Sequence, residues 1–255
     1  MVKKGAKQGQ KLKPGQDGLQ NSEEIREFFR STAEGGDRIA QHVMGLIYLF
    51  GHKVAIDKTA AKWFKMAAEQ GEPFSQNLLA SLYFSGQGAP QDFNQAAHWY
   101  RQAAENGVVE SMNNLASMNS FGFGLPINVD EALKWYRKAA ELGDRRAQCS
   151  LGLLYYYGHQ APRNLTEAFH WLKKSAARGF AEAQFHLGMI HALNEDGFRD
   201  ARAAREWLVA AANQGRAEAV PYSKVVDFNS PNFIEELVAE SGRRDLLDKN
   251  KNQLH

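Results

Sequence analysis

Apolar and small residues recur along this chain with a fixed period of 36. Its only five tryptophans, Trp63, Trp99, Trp135, Trp171 and Trp207, hold that spacing. Ala60, Ala96, Ala132, Ala168 and Ala204 each stand three residues before a tryptophan, and Gly71, Gly107, Gly143, Gly179 and Gly215 each stand eight after one. Alanine pairs such as Ala103-Ala104 and Ala139-Ala140 lie between tryptophan and glycine. So many columns in register mark an array of like units, each unable to bury its apolar face alone.

Within a unit the pattern predicts two short helices. In the second, Ala132, Trp135, Tyr136, Ala139 and Ala140 fall at helical spacing and form one apolar stripe. Asp92, Asn128, Asn164 and Asp200 stand seven residues before a tryptophan, as N-caps. Gln95, Glu131 and Glu167 follow three residues later, which is the capping-box pattern. The periodic glycine suits the left-handed residue that closes a helix. The first helix carries Leu79-Ala80, Leu115-Ala116, Leu151-Gly152 and Leu187-Gly188, a large residue beside a small one for close helix contact. An aromatic column follows at Tyr48, Tyr83 and Tyr155. Asn119 and His191 stand in that column elsewhere and predict looser packing there. Each tryptophan is expected to fill the gap between its own pair and the next.

The ensemble reads A-x-x-x-L-G-x-x-Y-x-x-G, then D/N-x-x-x-A-x-x-W-x-x-x-A-A-x-x-G. It resembles the SEL-one-like repeat family, relatives of the tetratricopeptide repeats. Ala147, Leu151, Gly152, Tyr155, Gly158, Asn164, Ala168, Trp171, Ala176 and Gly179 match best, and the resemblance covers roughly residues 23–228. It implies an all-α fold, a right-handed α-solenoid superhelix of about five 36-residue antiparallel helix pairs with capping helices. It also implies an interaction scaffold, without naming the partner.

The ends depart from the repeat. Residues 1–20 hold five lysines and one acid, whereas the rest of the chain carries a slight acidic excess within an overall +2. Residues 1–21 read as a disordered basic tail, 22–228 as the repeat solenoid, and 229–255 as a C-terminal capping helix and tail. Residues 22–34 read as a lone second-type helix with Ser22 as cap and Ile25, Phe28 and Phe29 facing inward. Residues 217–228 read as a first-type helix broken by Pro221, and 231–247 as an amphipathic closing helix. The chain has no run of 18 apolar residues, so membrane insertion is not expected. The basic N-terminus lacks the apolar stretch of a secretory signal. A single cysteine, Cys149, forms no internal disulfide, and the expected compartment is the cytoplasm.

Catalytic chemistry is not expected, nor is a cofactor or a metal. There is no H-E-x-x-H, no phosphate loop after a strand and no G-x-S-x-G elbow. His98 and His170 fall on a ridge two repeats apart, too far to share a metal. His186 and His191 face different sides of one helix. The resemblance implies instead a concave face lined by the first helices. Its outward positions are His42, Leu46 and Leu49; Phe74, Asn77, Ser81 and Phe84; Glu110, Asn113, Ser117 and Phe121; Arg146, Cys149, Leu153, Tyr156 and Tyr157; Glu182, Phe185 and Met189. Aromatics mixed with Asn and few charges resemble interface centres. Asn77 and Asn113, at equivalent sites, suit the clamping of a peptide backbone. The function expected is an adaptor for a protein or peptide, monomeric rather than dimeric, with nucleic acid disfavoured. The alternatives are a dedicated inhibitor or immunity partner for one toxin or effector, or a small-ligand hydrolase using groove His and Cys.

Overall fold

The computed structural model describes residues 16–50, 58–158, 162–193 and 200–224. Among these every long element is a helix. The chain divides into two compact units, Met1–Val108 and Val109–His255. The first holds α1 (Gln16–Glu34), α2 (Arg38–Phe50), α3 (Lys58–Glu69), α4 (Pro73–Ser85) and α5 (Phe93–Glu105). The second holds α6 (Val109–Phe121), α7 (Val129–Glu141), α8 (Arg145–Tyr157), α9 (Leu165–Ala177), α10 (Ala181–Ala192) and α11 (Ala201–Asn213). A 3-10 turn (Ala217–Ala219) and a single turn α12 (Val220–Ser223) follow. Within each unit successive helices pack in pairs.

The helix ends show why 36 residues close one unit. Gly71, Gly107, Gly143, Gly179 and Gly215 all have positive φ, between 76° and 90°. Each donates its N–H to an alanine carbonyl of the last turn, as Gly179 does to Ala176 at 2.9 Å. The next N–H reaches one residue further back, as in Asp144 to Ala139 at 3.0 Å, which completes the Schellman pattern. Asp92, Asn128, Asn164 and Asp200 cap the second helices as expected; Asn128 accepts from the Glu131 N–H at 3.0 Å. The reciprocal half of the capping box is replaced. The cap's own N–H goes to the first helix, from Asp92 to Tyr83, Asn128 to Asn119, Asn164 to Tyr155 and Asp200 to His191. Glu167 instead accepts from the Trp171 indole at 3.0 Å. Because a main-chain carbonyl serves that contact, the aromatic column tolerates Asn and His. Asn119 is buried and donates to the Leu115 carbonyl at 2.8 Å, so the packing there is not loose.

Large-beside-small pairing is realised in three dimensions. A Cβ built on Gly45 would stand 2.4 Å from the Phe64 ring. One on Gly152 would stand 2.7 Å from Leu172, and one on Gly188 2.7 Å from Leu208. The residue after each tryptophan is therefore the deep one: Phe64, Leu172 and Leu208 are fully buried. The tryptophans sit differently from the expectation. Trp63 packs on Ala33, Ala40 and Met44, and Trp99 on the Phe64–Leu79 cluster. Trp207 packs on the cluster of Leu172 and Leu187. These three thus pack toward the preceding pair rather than the following one.

The ends need further corrections. Helix α1 begins at Gln16, inside the segment assigned above to the basic tail. Of the three residues expected to face inward only Phe29 packs there, beside the buried Ala33; Ile25 and Phe28 are 55% and 65% exposed. Pro221 does not break a helix; it opens α12, where its missing N–H costs nothing. Behind it Tyr222 is buried against Phe185, ring centroids 5.8 Å apart, and closes the core of the second unit. Residues 1–15 and 231–247 lie outside the described residues. No helix among the described residues is long and apolar enough to cross a membrane.

Candidate partner-binding groove

In the second unit the first helices α6, α8 and α10 contribute one open cavity of about 410 Å³. Ser117 and Phe121 of α6 and Leu153 and Tyr157 of α8 line it, as the sequence register predicts. Glu182 of α10 closes one side. Phe121 and Tyr157 are 64% and 48% exposed, so the mouth is aromatic. Phe123 stands 6.1 Å from Phe121, and Ile127, also exposed, extends this apolar lip.

The floor is polar and was not foreseen. Tyr136, read from sequence as core stripe, occupies in the α6–α7 pair the register of Phe64, Leu172 and Leu208. It is long enough to carry a hydroxyl through to the groove. There the hydroxyls of Ser117, Ser150 and Ser120 stand close to it. Burial raises the phenol above its ordinary range, and the three serines oppose that shift. Ser150 is the half-buried position where Cys149 was expected, so the outward column of α8 runs one residue later than the sequence register.

That slip relocates several predicted residues. Cys149 is 1% exposed in the core beside Leu172 and Leu187. Burial, then the nearby Glu182, pushes its thiol far up, while Arg216 acts the other way; it stays a protonated thiol. Tyr156, Phe185 and Met189 are likewise core residues. Arg146 is exposed and shared between Glu110 at 3.4 Å and Asp144 at 4.0 Å. Asn113 is half-buried one helical turn before Ser117. Its Oδ1 is buried without a hydrogen-bond partner among the described residues.

In the first unit the predicted residues divide similarly. Phe74 and Ser81 are exposed, and Phe84 packs edge-on against Phe93 at 5.2 Å. Leu46 and Leu49 are half-buried against the Phe64 cluster. Asn77 is buried, so the Asn77–Asn113 equivalence does not give two matching outward amides. His42 meets the Ser75 hydroxyl at 2.8 Å and the Glu72 carboxylate at 3.2 Å, both through Nδ1. A nucleophilic triad places serine and acid on opposite ring nitrogens. Here Glu72 is instead the N-cap of α4, accepting from the Phe74 and Ser75 N–H groups, and Ser75 is fully buried. The cluster is a helix cap, not a catalytic arrangement.

A further surface lies on the outside of α9. Thr166, Phe169, His170 and Lys173 line a shallow hollow, with the Lys173 ammonium 5.7 Å from the Phe169 ring. All its residues come from the outer face of that one helix. No group of three or more His, Cys, Asp or Glu among the described residues is arranged to hold a metal.

The family model for the Sel1 repeat matches five consecutive segments, 38–72, 73–108, 109–144, 145–180 and 181–215. The chain belongs to the Sel1 repeat family. A protective antigen of uropathogenic Escherichia coli displaying an SLR fold is 32% identical, with a TM-score of 0.74 over 87% of this chain and 50% of the antigen. A Sel1 repeat protein from Oxalobacter formigenes is also 32% identical, with a TM-score of 0.69 over 79% of this chain and 59% of that protein. The Sel1 chain described here therefore spans only about half to three-fifths of the length of these two relatives. No curated protein matches the sequence at a significant level. Each matched Sel1 segment runs from the start of a first helix through the glycine turn after a second helix. The family boundaries therefore coincide with the Schellman turns.

Proposed function

We propose that this Sel1 repeat protein is a non-catalytic adaptor that binds another protein through the groove on α6, α8 and α10. The observation that carries this reading is the composition of that groove. Exposed aromatic and aliphatic side chains form its mouth, and hydroxyls form its floor. Interface centres are built from such aromatics, with few charges at the centre and polar groups at hand. Sel1 repeats generally serve as interaction scaffolds, which agrees with this reading.

The test is retention. The full chain is immobilised and exposed to lysate of its source organism beside a Leu153→Arg, Tyr157→Ala chain. Tyr157 is 48% exposed and Leu153 is half-buried at the groove wall, so circular dichroism and an unchanged thermal midpoint serve as the folding control. The reading expects one or a few proteins held by the first column and lost from the second. Equal retention on both columns would place binding elsewhere on the chain.

A further inference from the structure

We infer that the groove's cavity takes a basic side chain, arginine or lysine, contributed by the bound protein; this rests on the adaptor reading above. Among the described residues the cavity lining contains no Lys, Arg or His. Its polar groups are the hydroxyls of Ser117, Ser120, Ser150, Tyr136 and Tyr157 and the carboxylate of Glu182. Two aromatic rings, Phe121 and Tyr157, stand at the mouth. The carboxylate of the lining, Glu182, shares Arg216 with Glu218, at 3.6 Å and 3.1 Å, and Arg146 on α8 is shared by Glu110 and Asp144.

Each feature favours a donor-rich cation. Aromatic faces attract an ammonium or guanidinium through the ring quadrupole. Hydroxyl and carboxylate oxygens accept its N–H groups, and charge-assisted hydrogen bonds are stronger than neutral ones. A guanidinium brings donors alone, in one plane that stacks on a tyrosine. An acidic anchor would meet the Glu182 carboxylate, with no Lys or Arg among the described lining residues to pair with it. A purely apolar anchor would cover the floor hydroxyls and Glu182 without replacing their water. The half-neutralised Glu182 remains attractive because Arg216 divides its charge with Glu218.

The test uses three small probes on the full-length, 15N-labelled chain: N-acetyl-arginine amide, its neutral isostere N-acetyl-citrulline amide, and N-acetyl-tyrosine amide. The expected result is concentration-dependent shifts at the backbone amides of Phe121, Leu153 and Tyr157. The arginine probe should bind about fivefold more tightly than the citrulline probe. Glu182→Gln and Tyr157→Ala should each reduce that preference to about twofold or less, with unchanged thermal midpoints as the control for folding.

Equal binding of arginine and citrulline, or preference for the tyrosine probe, overturns the cationic anchor while leaving the adaptor reading intact. No shift at these amides with any probe overturns the assignment of the cavity. A Lys3, Lys4, Lys7, Lys11, Lys13→Gln chain supplies a fourth arm. If removing those lysines alone shifts the same amides, the chain's own basic segment is the occupant and the partner assignment fails. The adaptor reading fails separately, if groove substitutions leave retention from lysate unchanged.

Discussion

Gly152 of α8 is the most exacting test of how the pairs interlock. Its added Cβ would stand 2.7 Å from Leu172 Cγ and 3.1 Å from the Leu172 main-chain nitrogen. Carbon atoms in contact prefer about 3.5–4.0 Å. Gly152→Ala therefore forces α8 and α9 apart or drives Leu172 from its rotamer. Overpacking of this kind costs about 1–3 kcal/mol. Alanine returns about 1 kcal/mol of helix propensity. The net expectation is a loss of about 1 kcal/mol, read as a lower urea midpoint at constant m-value. Leu172→Ala alone should cost about 2–5 kcal/mol by opening a cavity. The new methyl partly fills that cavity in the double variant, so the two changes should be non-additive by at least about 1 kcal/mol. Stabilisation by Gly152→Ala, or additivity within about 0.5 kcal/mol, would refute the interlock.

Three other outcomes follow from the packing. Gln184 donates to the Ala176 carbonyl at 3.2 Å and accepts from Gln214 at 2.6 Å. Gln184→Met should cost about 1–2 kcal/mol in urea unfolding, since the Ala176 carbonyl keeps its bond from Gly179. Adding Gln214→Leu should cost little more, because Met112 and Leu142 stand at the same two register positions in the third repeat. Trp171→Ala should cost about 3–5 kcal/mol by the same assay, as the indole is buried. Cys149 should resist Ellman's reagent at pH 8 until the chain is unfolded. Its folded pKa lies above the ordinary 9.0, so the native state keeps a proton that the unfolded chain loses. Stability should therefore fall as pH rises above about 9, by up to about 1.4 kcal/mol per pH unit, and Cys149→Ala should flatten that slope between pH 9 and 10.

The period of 36 made the fold legible because packing and turn chemistry repeat together. Trp171, Ala168 and Gly179 each report one face, one contact and one turn, and five copies leave little room for another arrangement. The groove was legible only in part. Ser117, Phe121, Leu153 and Tyr157 followed from helical spacing, but a slip of one residue, about 100° around a helix, put Cys149 outside and left Ser150 unnoticed. Tyr136 escaped because its spacing is that of a core residue; its ring is core, and only the hydroxyl at its end reaches the groove. The glutamine column also passed unseen. Gln41, Gln76, Gln148 and Gln184 each donate to a last-turn alanine carbonyl of the preceding helix, at 3.0 to 3.2 Å. From Gln76 onward its period is that of the tryptophans, and the break at Met112 hid it. Asp37, Glu72 and Asp144 likewise cap the first helices, but Val108 and Phe180 interrupt that column.

The central claim is that partner contact falls on α6, α8 and α10. Hydrogen–deuterium exchange of the full chain, with and without the protein retained from lysate, tests it most directly. The account predicts slowed exchange in segments 113–121 and 150–157, with the outer face of α9 at 166–174 unchanged. Protection confined to 166–174, to residues 1–15 or to residues 225–255 would contradict it.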